Sequence, residues 1–159
     1  MSKSASPILA PVSFQTTIHV RDHCLCLQAQ RAARRLSRRF DEAMRPVGIT
    51  SGQFSLLNGL NRPEPPPIGA IARLLAMDRS TVTANLKPLE RMGAVRMVVD
   101  ATDRRERRVL LTEVGRDLLA RAMPIWTQEH EQIDAALGDQ GGVLRSGLSA
   151  VIEREVAAA

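Results

Sequence analysis

Tyrosine is absent from this 159-residue chain, aromatic residues make up 3% of it, and cysteine occurs only at Cys24 and Cys26. So few rings leave the core to Leu, Ile, Val, Ala and Met, a set that suits packed helices better than the faces of a β-sandwich. Two cysteines two residues apart exclude a disulfide framework and fit free thiols in a reducing compartment. No uncharged run approaches the roughly 18 residues that a membrane span needs. The first twenty residues also lack the charged start and apolar stretch of a signal peptide, so a cytoplasmic protein without a membrane partner is expected. Lysine is scarce: Arg supplies 20 of the 22 basic residues, and its planar fork grips guanine or phosphate in a two-pronged geometry that Lys lacks. No nucleophile elbow, zinc-protease helix or phosphate loop occurs, so no catalytic set, cofactor or metal is expected.

What is present is basic and unevenly spread. The net charge is +5, yet residues 1–112 carry 18 Lys and Arg against 9 Asp and Glu, while residues 113–159 carry 4 against 8. A basic first part and an acidic last part suit a chain that binds a polyanion through one region only. Chain length favours a single domain.

Residues 1–20 mix Ser, Pro and Thr without periodicity and read as a flexible arm, leaving 21–159 as the domain. From Leu25 an apolar stripe runs through Ala29, Ala33, Leu36, Phe40 and Met44, with Arg31, Arg34, Arg35, Arg38 and Arg39 on the other sides, predicting a long first helix ended by Pro46. Thr50 and Gln53 form a capping-box pattern before Phe54, Leu57 and Leu60. Four prolines between Asn61 and Pro67 separate that second helix from a third, marked by Ile68, Ile71, Leu74 and Leu75. A turn at Ala76-Met77-Asp78 leads to a fourth.

Asp78 stands where a side chain would cap that fourth helix. Val82, Leu86 and Leu89 make its inward stripe, so Arg79, Ser80, Thr81, Thr83, Ala84 and Lys87 form the face open to a partner. Pro88 should kink its end, and Gly93 supplies a left-handed stop. Val95–Val99 and Val109–Leu111 are β-branched runs flanking Asp103-Arg104-Arg105-Glu106-Arg107-Arg108, a hairpin with four guanidiniums near its tip. Thr112 caps a fifth helix running to Leu137 with a kink at Pro124. Gly138 and the Gly141-Gly142 pair interrupt it before a final amphipathic helix through Val143, Leu144, Leu148, Val151 and Ile152.

Helix, turn, helix, strand, arginine loop, strand is the order of a winged helix-turn-helix. The chain resembles the MarR family of bacterial transcription regulators over residues 21–157. The resemblance rests on Gly48-Ile49-Thr50-Ser51-Gly52-Gln53-Phe54, Asp78-Arg79-Ser80-Thr81-Val82-Thr83, Leu89-Glu90-Arg91-Met92-Gly93, Asp103-Arg104-Arg105 and Leu111-Thr112-Glu113-Val114-Gly115. It implies a mainly α fold with a winged core at about 50–112 and dimerisation helices at about 21–47 and 113–157. It also implies a homodimer whose fourth helix enters the major groove of an operator through Ser80, Thr81, Thr83 and Lys87. Arg104 or Arg105 would then reach the adjacent minor groove, and Asp103 would brace a nearby Arg.

Each signal has a plainer reading. Residues 78–87 alone would be an ordinary capped helix, and the loop alone a solvated hairpin; their adjacency favours DNA. The Arg cluster of the first helix is read as solvated charge or phosphate steering. His19, His23 and Cys26 fall at i, i+4 and i+7, a spacing for one soft-metal site, but no second ligand cluster accompanies them. The expected switch is a small aromatic or carboxylated effector that releases a repressor from a pseudo-palindromic operator. Its crevice, placed by the resemblance near the first, second and fifth helices, would be lined by His23, Cys26, Gln30, Phe54 and Trp126. Two alternatives use the thiols: a redox-sensing regulator through Cys26, or a small thiol enzyme built on Cys26 and His23. Cys24 would point about 200° away from Cys26 if both lay on one helix, and so would be a poor resolving thiol.

Overall fold

Local signals account for most elements of the computed structural model, which describes residues 11–100 and 102–157. In chain order these are α1 (Phe14–His23), α2 (Leu25–Met44), a 3-10 turn at Arg45–Val47, α3 (Ser51–Leu60), α4 (Ile68–Leu74) and α5 (Arg79–Arg91). A hairpin of β1 (Val95–Val99) and β2 (Arg107–Leu111) follows, then α6 (Glu113–Leu137) and α7 (Gln140–Ala157). The chain divides into two units, Met1–Leu36 and Ser37–Ala159, with the boundary inside α2.

In the first unit, residues 14–20 are helical, where the sequence suggested an arm. Ser13 starts α1 by accepting from the Thr16 amide. None of the α1 residues is buried, so it carries no apolar stripe that a periodicity reading would detect. Cys24, at φ −76° and ψ 106°, separates α1 from α2. A single helix carrying His19, His23, Cys24 and Cys26 is therefore not formed. Leu25 and Leu36, on the stripe read from sequence, are 79% and 41% exposed.

The second unit holds the core. Phe40 and Met44 at the end of α2 join Phe54, Leu57, Leu60, Ile71, Val82, Leu86, Leu89, Val109, Leu118 and Ala122 in one cluster. The capping box forms as expected: Thr50 Oγ1 accepts from the Gln53 amide and Gln53 Oε1 from the Thr50 amide. In α5 the buried residues are Val82, Leu86 and Leu89, the stripe seen in the sequence, and Pro88 is carried within the helix. Gly93, at φ +71°, ends α5 in a Schellman arrangement, with its amide bonded to Glu90 O and that of Ala94 to Leu89 O. The α4–α5 turn uses the same device with a residue that favours it less. Ala76 sits at φ +49° while the Met77 amide bonds to Ala72 O.

β1 and β2 pair antiparallel with Val95 opposite Leu111 and Val99 opposite Arg107. Thr112 caps α6 by accepting from the Gly115 amide. A Cβ at Gly115 would lie 2.2 Å from the Ala94 carbonyl oxygen, so only glycine permits this close approach of α6 to the start of the hairpin. Helix α6 passes through Pro124 and stops at Gly138, but Gly141 and Gly142 lie inside α7 rather than interrupting it. The protein is thus mainly helical with a two-stranded wing. Among the described residues no helix is long and apolar enough to cross a membrane.

Candidate nucleic-acid interface

The α5 face opposite the core stripe is open. Arg79, Ser80, Thr81, Thr83, Ala84 and Lys87 are all exposed. Thr83 donates its hydroxyl proton to Arg79 O at 2.8 Å, which leaves the oxygen's lone pairs as its outward function. Asp78 has the extended backbone of a cap but makes no side-chain capping bond, contrary to the sequence reading. Its carboxylate acts on the helix start only as a nearby charge favourable to the first-turn amides.

The wing is held by an aspartate other than the one expected. Asp100 is 6% exposed. Its Oδ1 accepts from the Thr102 amide at 2.7 Å, the Thr102 hydroxyl at 2.6 Å and the Asp103 amide at 2.8 Å, and its Oδ2 accepts from Arg108 Nε. The Thr102 hydroxyl, then the Asp103 amide and the Arg108 guanidinium, hold this carboxyl well below the usual carboxylate range. Arg108 in turn donates through Nη1 to Pro65 O at 3.0 Å, while the Val109 amide bonds to Pro66 O at 3.0 Å. The proline segment is thereby laid along the outer edge of β2.

Asp103, assigned the bracing role by resemblance, bonds through Oδ1 to the Arg105 amide at 2.9 Å and forms no ion pair among the described residues. The reason is position: Asp103 lies in the turn itself, where its short side chain meets an amide two residues on, as aspartates in turns commonly do. Asp100 directly follows β1, its amide bonded to Glu106 O, and from there its side chain meets Arg108. Of the four loop arginines, Arg104 and Arg105 lie in the tip, whereas Arg107 and Arg108 belong to β2. The wing's ion pairs among the described residues both use Arg108, with Asp100 and Glu106. Arg104, Arg105 and Arg107 are exposed.

Helix α5 and the wing meet across an open cleft of about 410 Å³. Gly69, Arg79, Ser80 and Thr83 line one side, and Asp103, Arg105, Glu106 and Arg107 the other. Two separate signals in the sequence therefore share one surface. Sequence reasoning missed Asp100, although an aspartate two residues before a threonine and three before another aspartate is a recognisable amide-capturing turn. It also missed Gly69, and it named Arg107 only as one of the four guanidiniums of the loop.

A second cleft, of about 400 Å³, lies between α3, α6 and the end of α2. Phe54 and Trp126 line it with ring centroids 6.5 Å apart. Phe40, read from the sequence only as part of the first helix's stripe, and His130 join them: the His130 ring centroid lies 4.1 Å from that of Trp126 and 4.8 Å from that of Phe40. The spacing of four between Trp126 and His130 on α6 was the available signal. Asn58, Ser51 and Ser55 supply the polar part of the lining. His23, Cys26 and Gln30 belong to the first unit, where all three are exposed. There the Gln30 amide donates to Cys26 Sγ at 3.3 Å, and the His19 and His23 rings stack at 4.2 Å.

The MarR family model matches residues 49–106. A transcriptional activatory protein of Rhodopseudomonas palustris, BadR, is 36% identical over 77 residues, 46% of this chain and 44% of that protein. The chain thus spans less than half the length of that relative. Among solved structures, the M. tuberculosis regulator MosR in complex with DNA is 33% identical at a TM-score of 0.77, covering 86% of this chain and 98% of that one. The transcriptional repressor CouR, bound to a 23-mer DNA duplex, is 30% identical at a TM-score of 0.75, covering 84% and 96%.

Proposed function

This chain belongs to the MarR family of DNA-binding transcription regulators, and from that premise we propose that it works as a cytoplasmic homodimeric repressor, released from a pseudo-palindromic operator by a small organic ligand. The observation that carries the reading is the cleft where the open face of α5 and the arginine-bearing wing converge. Ser80, Thr81, Thr83 and Lys87 offer short donors and acceptors and one long cation to base edges, flanked by Arg79 and Ala84. Arg104 and Arg105 extend from a tip whose root is fixed by Asp100. Guanidiniums on such a tip suit a narrow minor groove or the phosphates beside it.

The dimer is supported by apolar surface that a single chain leaves uncovered. Leu144, Leu148, Val151 and Ile152 on α7 are each about half exposed, and Leu25 and Leu36 on α2 are exposed as well. Two-fold symmetry would place two α5 helices on half-sites about one helical turn apart. Repression follows if such a dimer occupies a promoter; of the two relatives named by their sign of action, BadR is an activator and CouR a repressor.

The proposed effector seat is the aromatic cleft between Phe40, Phe54, Trp126 and His130. Its lining holds three aromatic side chains and a histidine, with no arginine, lysine or carboxylate, which favours a planar aromatic ligand over a highly charged one. Such a ligand releases DNA only if it binds more tightly to a spacing of the two α5 helices that misfits the operator. A thiol switch is the second reading, favoured by the exposure of Cys26.

Hydroxyl-radical footprinting on a duplex selected by the protein from a random library tests the proposal. Two symmetric protected tracts about ten base pairs apart, abolished by adding an aromatic effector, are expected. A single asymmetric tract would overturn the dimeric reading.

A further inference from the structure

We infer that Gly69 is a positioning residue for DNA binding: bare of a side chain, it seats the Arg79 guanidinium in the cleft beside the wing, where that arginine holds a backbone phosphate of the bound duplex. The inference rests on the assignment of this cleft to DNA.

A Cβ built at Gly69 would lie 2.9 Å from Arg79 Nη2 and 3.3 Å from both Cζ and Nε. Three atoms of one planar group within 3.3 Å of that position mean that the guanidinium occupies the space a side chain at Gly69 would take. A methyl group there would push the guanidinium aside. The second residue of α4 does not need glycine for the sake of the helix, since alanine is the better helix former there. What glycine provides is the floor on which Arg79 rests.

Arg79 reaches that floor from the first turn of α5, and its guanidinium faces the cleft that Arg105 and Arg107 line from the wing. Three guanidiniums therefore surround one open space that also contains Asp103 and Glu106. Asp103 has one carboxylate oxygen engaged by the Arg105 amide, and Arg79 has no ion-pair partner among the described residues. The surplus of positive charge matches a phosphodiester, whose two free oxygens accept from guanidinium N–H groups. Resting in that space, Arg79 loses less side-chain freedom on binding than an arginine with solvent on every side. A phosphate interaction of this kind fixes the register of α5 in the groove without reading a base.

Gly69→Ala, Arg79→Ala and the double variant, with the parent protein, are titrated across a range of salt concentrations with a labelled duplex that the parent selects from a random library. Gly69→Ala should melt at the same temperature as the parent or higher, because only the end of a flexible side chain has to move. It should nevertheless bind several-fold more weakly. Its plot of log affinity against log salt should be shallower by about 1 per protomer, the change expected when one fewer phosphate is neutralised. Arg79→Ala should be weakened to the same degree, and the double variant should bind no more weakly than Arg79→Ala alone. An unchanged salt slope in either single variant, or a Gly69→Ala penalty that persists in the absence of Arg79, would overturn the inference. Failure of the parent to select any duplex would instead overturn the DNA reading on which it rests.

Discussion

Replacing Leu148 by Asp on the open stripe of α7 probes the assembly on which palindromic recognition depends. Leu144, Leu148, Val151 and Ile152 retain 49%, 47%, 54% and 55% of their surface in the single chain. Full burial of such a side chain contributes about 1.5–3 kcal/mol, so covering the remaining half contributes about 1 kcal/mol each. Four side chains on each of two protomers then supply about 8 kcal/mol before the cost of association, which is itself about 4–15 kcal/mol. The stripe thus offsets only the lower part of that range, and in the proposed dimer the exposed apolar residues of α2 add to it. Leu148→Asp removes about 2 kcal/mol of burial per dimer and brings a carboxylate from each protomer to the interface. At about 1.4 kcal/mol per tenfold, the dimer dissociation constant should rise at least about thirtyfold. Sedimentation equilibrium reads this directly: the parent should run at twice the chain mass of 17.4 kDa, and the variant should dissociate at concentrations where the parent does not. An unchanged dissociation constant would refute the placement of α7 in the dimer interface.

Two other expectations concern the wing and the thiols. The Asp100 carboxyl is held below its usual 3.8, so its contribution to stability is fully present above that pH and is lost as pH falls through the lowered folded value. Asp100→Asn should accordingly melt below the parent at neutral pH, with the gap closing in acid; a gap that stays constant with pH would contradict the brace. Cys24→Ser/Cys26→Ser should keep both DNA binding and release by an aromatic effector. Loss of induction in that variant, together with peroxide release of the parent that a reductant reverses, would replace the ligand switch by a thiol switch.

The elements legible in the sequence were those whose signal is local. Thr50 and Gln53 announced α3 because a capping box needs only four consecutive residues. Val82, Leu86 and Leu89 announced which side of α5 faces inward because helical periodicity alone decides it. Helix α1 escaped because it buries nothing, so its sequence has no stripe. The break at Cys24 escaped because neither proline nor glycine marks it. At the candidate interface, the arginines were visible in one dimension but their division of labour was not. That Arg108 turns inward to Asp100 and Pro65 depends on the register of β2 and on the proline segment more than forty residues earlier. The Gly69 floor likewise joins residues of two helices across a turn, and no spacing rule reports it.

The claim that α5 and the wing together bind DNA is tested most directly by the affinity of Arg104→Ala for a duplex selected by the parent protein, measured at several salt concentrations beside its far-UV circular dichroism. Arg104 is exposed in the hairpin tip, so its truncation should leave the spectrum unchanged. Removing its guanidinium from the groove or from a phosphate should weaken binding by about 1–3 kcal/mol per protomer. A folded variant that binds as tightly as the parent at every salt concentration would contradict the account.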